Sequence, residues 1–331
     1  LDAPNFFDEE GAPPFRRNQF GATVGGPIQR DKTFFFTAYE AMREALTNTE
    51  INRVPDAAAR SGTVGVVDAN GNSLAPVTVN VSSKIAPYLP FFPLPTPGGI
   101  NFKDGTAQYI FTAGQPTRDD FGQARVDHQI SDKDSLFARF TGSNSLRTVI
   151  QNYPEFHQNL ILNARLLTIA ETHIFSPSVL NTVRFSFNRV VPKDTGDYPE
   201  IDPKLLSVPG QPPPGLSPGS SITAWEGSPK PVDFFITNRF NYQDDVNWTL
   251  GAHSLQLGGM LERYQINLSG PNRPYGAWSF SNLRNFLQAI PNRLRGTPPQ
   301  FGIANRGFRQ WFAGVYVQDD WKIRPSLTLN L

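Results

Sequence analysis

The chain has 331 residues and a formal net charge of +1, a balance that excludes the broad basic face of a nucleic-acid binder. It contains no cysteine, which excludes a disulfide scaffold and thiolate metal sites. Hydrophobic residues make up 39%, low for a large soluble core, while 26 Phe, 30 Pro and 27 Gly favour strands and turns over helices.

The first segment with strand parity places Phe20, Ala22, Val24 and Ile28 against Gln19, Gly21, Thr23 and Gly25, and predicts a turn at Gly26-Pro27. The glycines there lack the Lys-Ser/Thr of a phosphate loop, so they read as small strand residues. Residues 54–106 are too long for an ordinary connection and predict a loop with a short helix near Ser82–Tyr88. Within it, Asp68–Asn72 (DANGN) begins like a calcium loop, but Ser73 replaces the expected Gly and no Glu closes the motif. An Asx/Gly turn is the expectation.

Alternation resumes with Gly122, Ala124, Val126 and Ile130 against Phe121, Gln123, Arg125 and Asp127. A tight connection, Gln129–Ser135, leads to Leu136, Ala138 and Phe140 against Ser135, Arg139 and Thr141. Residues 147–160 read as a second long loop, and Phe175–Val179 as another tight turn. In Asn181–Val190, Val183, Phe185 and Phe187 share a face opposite Arg184, Ser186 and Asn188.

Residues 191–234 form a third long loop, whose Gln211–Gly215 (QPPPG) and Pro218–Ser221 (PGSS) are expected not to pair into a sheet. Phe235–Leu250 then alternates over about 15 residues, against about 5–6 for an average soluble strand. Ile236, Phe240, Tyr242, Val246, Trp248 and Leu250 share one face, with Asn238 and Asp244 as exceptions. After the turn Thr249–Ser254, residues 270–308 form a fourth long loop. Within it, Ser281–Ile290 predicts a helix capped by Ser281 that buries Leu283, Phe286, Leu287 and Ile290. Trp311, Ala313, Val315, Val317, Trp321 and Ile323 alternate with Gln310, Tyr316, Gln318, Asp320 and Lys322 before the turn Ile323–Ser326.

About ten strands are thus joined alternately by short turns and long loops. With wet Arg, Asp and Gln on one face, this is the pattern of an antiparallel transmembrane β-barrel in an outer membrane, with the short turns periplasmic and the long loops extracellular. No apolar run approaches the roughly 20 residues of a spanning helix. Three turns share a motif, at Asp127-His128-Gln129-Ile130, Asp245-Val246-Asn247-Trp248 and Asp320-Trp321-Lys322-Ile323. Parity puts each Asp on the polar face and the aromatic or apolar partner where an interfacial girdle belongs.

No catalytic constellation is present: there is no GxSxG elbow and no HExxH. His128, His157, His173 and His253 are not at metal-binding spacings, and no cofactor is expected. The doublets Asp119-Asp120, Asp244-Asp245 and Asp319-Asp320 place their carboxylates on opposite faces of a strand, which suits neither acid–base pairing nor metal capture. The chain is therefore expected not to be an enzyme.

Leu1–Asp8 (LDAPNFFD), Phe15–Ile28 (FRRNQFGATVGGPI), Asp31–Phe36 (DKTFFF) and Tyr39-Glu40 resemble the Oar-like TonB-dependent receptors. Ser131–Phe140 (SDKDSLFARF), Val317–Ile323 (VQDDWKI) and Leu327–Leu331 (LTLNL) are similar to later barrel strands of that family. The resemblance implies a barrel of about 22 strands closed by a plug domain, with solute uptake powered through TonB, ExbB and ExbD. No plug or TonB box is recognised in the chain, so residues 1–331 are expected to be a piece of a longer receptor, with any export signal upstream. In the intact receptor Gln123, Arg125, Arg239 and Gln243 are expected to line the lumen. Trp225, Arg273, Tyr275 and Trp278, in the long loops, are expected to contact ligand. The alternative is a secreted all-β adhesion or glycan-binding module, which would bury its apolar strand faces against a second sheet.

Overall fold

The computed structural model describes residues 11–219, 221–225, 233–270, 275–296 and 305–331. Its strands in chain order are β1 (Phe15–Gln29), β2 (Thr33–Pro55), β3 (Thr63–Val67), β4 (Ser73–Thr78), β5 (Thr106–Gln129), β6 (Asp134–Ile150), β7 (His157–Ser176), β8 (Val179–Asp197), β9 (Gly215–Ser217), β10 (Asp233–Leu250), β11 (His253–Ser269), β12 (Ala277–Ser279), β13 (Arg293–Arg295), β14 (Asn305–Arg324) and β15 (Leu327–Asn330). One ten-stranded sheet dominates, in the order β1-β2-β5-β6-β7-β8-β10-β11-β14-β15. All its pairings are antiparallel. The strands are joined as a meander, and among the described residues β1 and β15 remain open edges.

Residues paired across strands share a face, so register carries parity through the sheet. One row runs Ala38, Gln123, Thr141, Leu166, Asn188, Arg239, Tyr264, Gln310. A row on the other face runs Val24, Thr37, Ala124, Phe140, Leu167, Phe187, Phe240, Arg263, Trp311. The second face is apolar over most of its height, and no layer covers it among the described residues. Val24, Phe140, Val183, Leu261 and Val315 are exposed on it, Val315 at 90%. A sandwich module would have buried these side chains, which counts against the adhesion alternative.

Every short connection lies at one end of the sheet. At the other end, β2 and β5 stay paired up to Pro55 opposite Thr106. Strands of 23 and 24 residues are longer than the roughly 9–11 that would cross a bilayer.

Several local expectations need correction. β1 continues through Gly26-Pro27 to Gln29, with an irregularity between Pro27 and Gln29. Proline is tolerated there because it sits at the register irregularity, where the ladder is already interrupted. The turn follows instead, with Asp31 in the left-handed region at φ 56°. The loop expected over 147–160 shrinks to 151–156, because the ladder continues to Ile150 opposite His157. Of the two Pro-rich segments in the third loop only Gly215 enters a sheet: Gly215–Ser217 runs parallel to β12, which is antiparallel to β13, while Gln211–Pro214 and Pro218–Gly219 stay outside any strand as expected. The helix near Ser82–Tyr88 is a 3-10 segment over Ala86–Phe91. Besides the one-turn helix α1 (Ala57–Arg60), the fourth loop holds α2 (Leu283–Leu287), capped by Asn282 rather than Ser281. Leu283, Phe286 and Leu287 are buried as expected, whereas Ile290 is exposed beyond Ala289, whose φ of 58° ends the helix.

Candidate lumen wall and outer cap

The polar face is held by cross-strand hydrogen bonds. Glu262, 3% exposed, accepts from Arg239, from Asn241 Nδ2 at 2.8 Å and from Tyr264 OH at 2.6 Å. Lower on the same face, Asp245 accepts from Tyr316 OH at 2.8 Å and Gln243 Nε2 at 2.9 Å, and Arg184 donates to Gln243 at 3.3 Å. Arg125 pairs with Asp127 at 2.6 Å. Gln123, Arg125, Arg239 and Gln243 therefore lie on one face, and the last three enter these networks. The face is not uniformly polar: Phe36, Leu166 and Phe312 stand among these groups.

The aspartates of the three turn motifs, Asp127, Asp245 and Asp320, also share this face by register. Their neighbours His128, Val246 and Trp321 point to the apolar face. The Trp321 ring stacks on His253 at 5.2 Å, forming part of an aromatic rim beside the short turns. Asp134, Glu171 and His173 also converge here, their ligand atoms lying within 4.8 Å. Sequence spacing does not reveal the cluster, because register alone sets Asp134 opposite His173. Asp134 accepts from Ser131 and His173, a clasp across the turn.

The four long loops, all at the end of the sheet opposite the short turns, fold together. Their shared core contains Ile85, Leu89 and Phe92 from residues 56–105, Tyr153 and Phe156 from residues 151–156, Leu216, Ile222 and Trp225 from the third loop, and Phe280, Leu283, Phe286 and Leu287 from the fourth. Aromatic contacts join the first loop to the other three, and the second to the third. Phe92 meets Tyr153 at 5.9 Å and Phe286 at 5.7 Å, and Phe156 meets Trp225 at 5.1 Å. Tyr153 OH donates to the Thr223 carbonyl at 2.8 Å, and burial raises its phenol pKa. The Arg60 guanidinium donates to the carbonyls of Leu89 (2.8 Å), Phe92 (2.7 Å) and Pro93 (2.6 Å), and its own burial lowers its pKa. The Asp68 turn forms as expected, its carboxylate accepting from the Asn70 and Asn72 amides at 2.9 and 2.8 Å.

The loop residues expected at a ligand divide. Trp225 is 1% exposed in the cap core, between Phe91 and Phe156. With Trp278 it lines a cavity of about 220 Å³ that also takes in Leu216 and Arg295. This is smaller than the roughly 300 Å³ at which ligand pockets begin. Trp278 is half-buried and donates to Ser207 Oγ at 3.1 Å. Tyr275 is half-buried, with its phenol pKa raised by burial. Arg273 lies outside the described residues.

Comparison with curated proteins found no match. Among solved structures, the outer membrane transporter YddB from Escherichia coli is similar at a TM-score of 0.52 and 7% identity, over 96% of this chain and 33% of that one. The chain thus spans about a third of that transporter's length. The ferric-catecholate import receptor Fiu from E. coli, in its closed form, has a TM-score of 0.41 and 10% identity, over 92% of this chain and 40% of that one. The family described as "Outer membrane beta barrel domain" matches residues 1–331. With that match covering the whole length, on a meander of this topology, the chain belongs to the outer membrane beta barrel domain family.

Proposed function

We propose that the chain forms part of the wall and outer mouth of a TonB-dependent uptake receptor. The observation that carries this reading is the division of the ten-stranded sheet into a hydrogen-bonded polar face and an uncovered apolar face. The apolar face meets lipid, and the polar face lines the lumen. Arg239, Gln243, Gln123 and Arg125 then border the solute path. The packed outer loops stand at the extracellular entrance, with Tyr275, Trp278 and Arg273 as ligand contacts near it. The chain acts as wall and entrance rather than as an enzyme. The Oar-like motifs alone support the finer assignment: a plug within the barrel and energy from TonB with ExbB and ExbD.

Two experiments test the reading. In intact cells, Lys204→Cys in the third loop should react with a membrane-impermeant thiol reagent, and Lys133→Cys in a short turn should react only after the outer membrane is breached. The opposite pattern would invert the orientation. Growth on candidate solutes should depend on this receptor and vanish when TonB is deleted; growth that persists without TonB would reject the energy assignment while leaving the orientation standing.

A further inference from the structure

Strand parity and register bring three metal-ligating side chains to one spot beside the short turns. Glu171 and His173 are two residues apart on β7, so both stand on the same, apolar face. Asp134, the first residue of β6, is paired directly with His173. One oxygen from each carboxylate and one imidazole nitrogen lie within 4.8 Å of one another, and all three residues are half-buried. Backbone pairing brackets the spot. Ser135 pairs with Thr172 on one side, and on the other the Ile174 amide donates to the Lys133 carbonyl at 2.8 Å.

Neighbouring side chains do not balance the charge gathered there. Asp134 meets His173 and Ser131. Glu171 has no hydrogen bond or ion pair among the described residues, and there no Lys or Arg pairs with either carboxylate. Two carboxylates this close repel each other unless a proton or a cation lies between them. The same rim offers a contrast. His253 meets Asp319 at 2.6 Å and His128 meets Thr33 at 2.8 Å, but among the described residues neither pair gathers a third ligand group.

The ligand atoms are also oriented from behind. The Phe175 ring packs edge-on against the His173 imidazole at 4.4 Å. Ser131 holds Asp134 Oδ2, which leaves Oδ1 toward His173. Such outer contacts fix the direction of metal ligands. One imidazole nitrogen and two carboxylate oxygens form a zinc donor set with a fourth position left for water. Ligand atoms at 2.0–2.2 Å from a single ion can lie about 4 Å apart, so side-chain rotation alone closes this cluster on one.

We propose that Asp134, Glu171 and His173 bind a divalent transition-metal ion such as Zn2+. On binding, the proton between His173 and Asp134 leaves to solvent, and metal–ligand bonds replace their hydrogen bond. The ion clips the β5–β6 turn to the β7–β8 turn, which no covalent connection joins at this end of the sheet. The inference stands on register alone and holds whichever side of the membrane the short turns face.

The test is isothermal titration of ZnCl2 into the full-length protein in detergent, stripped with chelator and freed of any purification tag. The wild type should show a site that His173→Ala and Glu171→Gln each weaken about tenfold or more, at least the penalty for disturbing a metal's outer contacts. Glu171→Gln is the sharper variant, because a plain Asp134–His173 clasp has no use for that carboxylate and the amide keeps its shape. His253→Ala removes an imidazole from the same rim and should leave binding unchanged. The site should hold zinc against equimolar Mg2+, which prefers oxygen ligands alone. Heat-modifiable migration on gels confirms that each variant is folded. No zinc binding by the wild type, affinity within twofold of wild type in Glu171→Gln or His173→Ala, an equal loss in His253→Ala, or displacement by equimolar Mg2+ would each overturn the proposal.

Discussion

Arg239 and Glu262 meet across the β10–β11 pair, one of them two-fifths exposed and the other almost wholly covered. The carboxylate holds together three donors from neighbouring positions, Arg239, Asn241 and Tyr264. Replacing Glu262 with Leu leaves these donors without their acceptor. The expected loss is about 1–3 kcal/mol, the net worth of hydrogen bonds to a charged acceptor, read as a lower urea midpoint for folding into micelles. Glu262→Gln keeps one acceptor oxygen and should lose less.

Gly258 on β11 lies beneath the ring of Tyr316, and a Cβ there would run into that ring and Asp245. Gly258→Val should displace Tyr316 and break its 2.8 Å bond to Asp245. Overpacking of this kind costs about 1–3 kcal/mol. Tyr316→Phe removes the same hydrogen bond without the clash, and should cost about 1 kcal/mol in the same titration.

Trp225→Ala should open the outer cap without unfolding the sheet. Truncating a buried large aromatic costs about 3–5 kcal/mol, and here the loss falls on the shared loop core. In intact cells, external protease should then cut within residues 56–105 and 198–219, while heat-modifiable migration stays unchanged. Unaltered protease resistance would contradict the packing of Trp225 against Phe91 and Phe156.

Arg60→Met should have a similar, smaller effect. Four carbonyls, those of Pro55, Leu89, Phe92 and Pro93, lose their donor, at about 1–3 kcal/mol in total once water reaches them. Arg60→Lys should recover only part, because an ammonium does not reproduce the fork that spans Leu89, Phe92 and Pro93.

The Asp68 turn should respond to acid. Hydrogen bonds from the Asn72 side chain and amide, and from the Asn70 and Gly71 amides, hold its carboxyl below the usual 3.8. A depressed folded-state value means that its stabilisation is complete above the unfolded pKa and is lost as pH falls through the folded one. Base-independent hydrogen exchange at Asn70 and Asn72 should stay slow, relative to an Asp68→Ala control, at pH 4 and approach that control only below the ordinary carboxylate pKa.

The strands were legible because period two is a local property. Each of Val183, Phe185 and Phe187 declares its face against Arg184 and Ser186 without reference to any distant partner. At the loop end of the ladder that signal fades. The β6–β7 extension over Arg147–Ile150 and His157–Leu160 therefore carries no alternation that marks it as strand. The cap was illegible for a different reason. Phe92, Tyr153, Trp225 and Phe286 are far apart in sequence, and nothing local in any of them announces the others. The charged side chains of the apolar face were half legible: Asn238 stood out as a polar exception, but only register shows that Arg43, Arg118, Arg165, Arg189 and Arg263 share that face.

In the extracellular orientation proposed above, the joint packing of the four long loops has an immunological consequence. The surface they present is assembled from four separate stretches of chain, so its epitopes are conformational, and antibodies raised against linear peptides from one loop would meet those residues in a shape they do not recognise. It also couples the loops in evolution. An insertion that reshapes the segment around Phe92 must be accommodated by Tyr153, Trp225 and Phe286, so variation at this surface proceeds by concerted change across the loops.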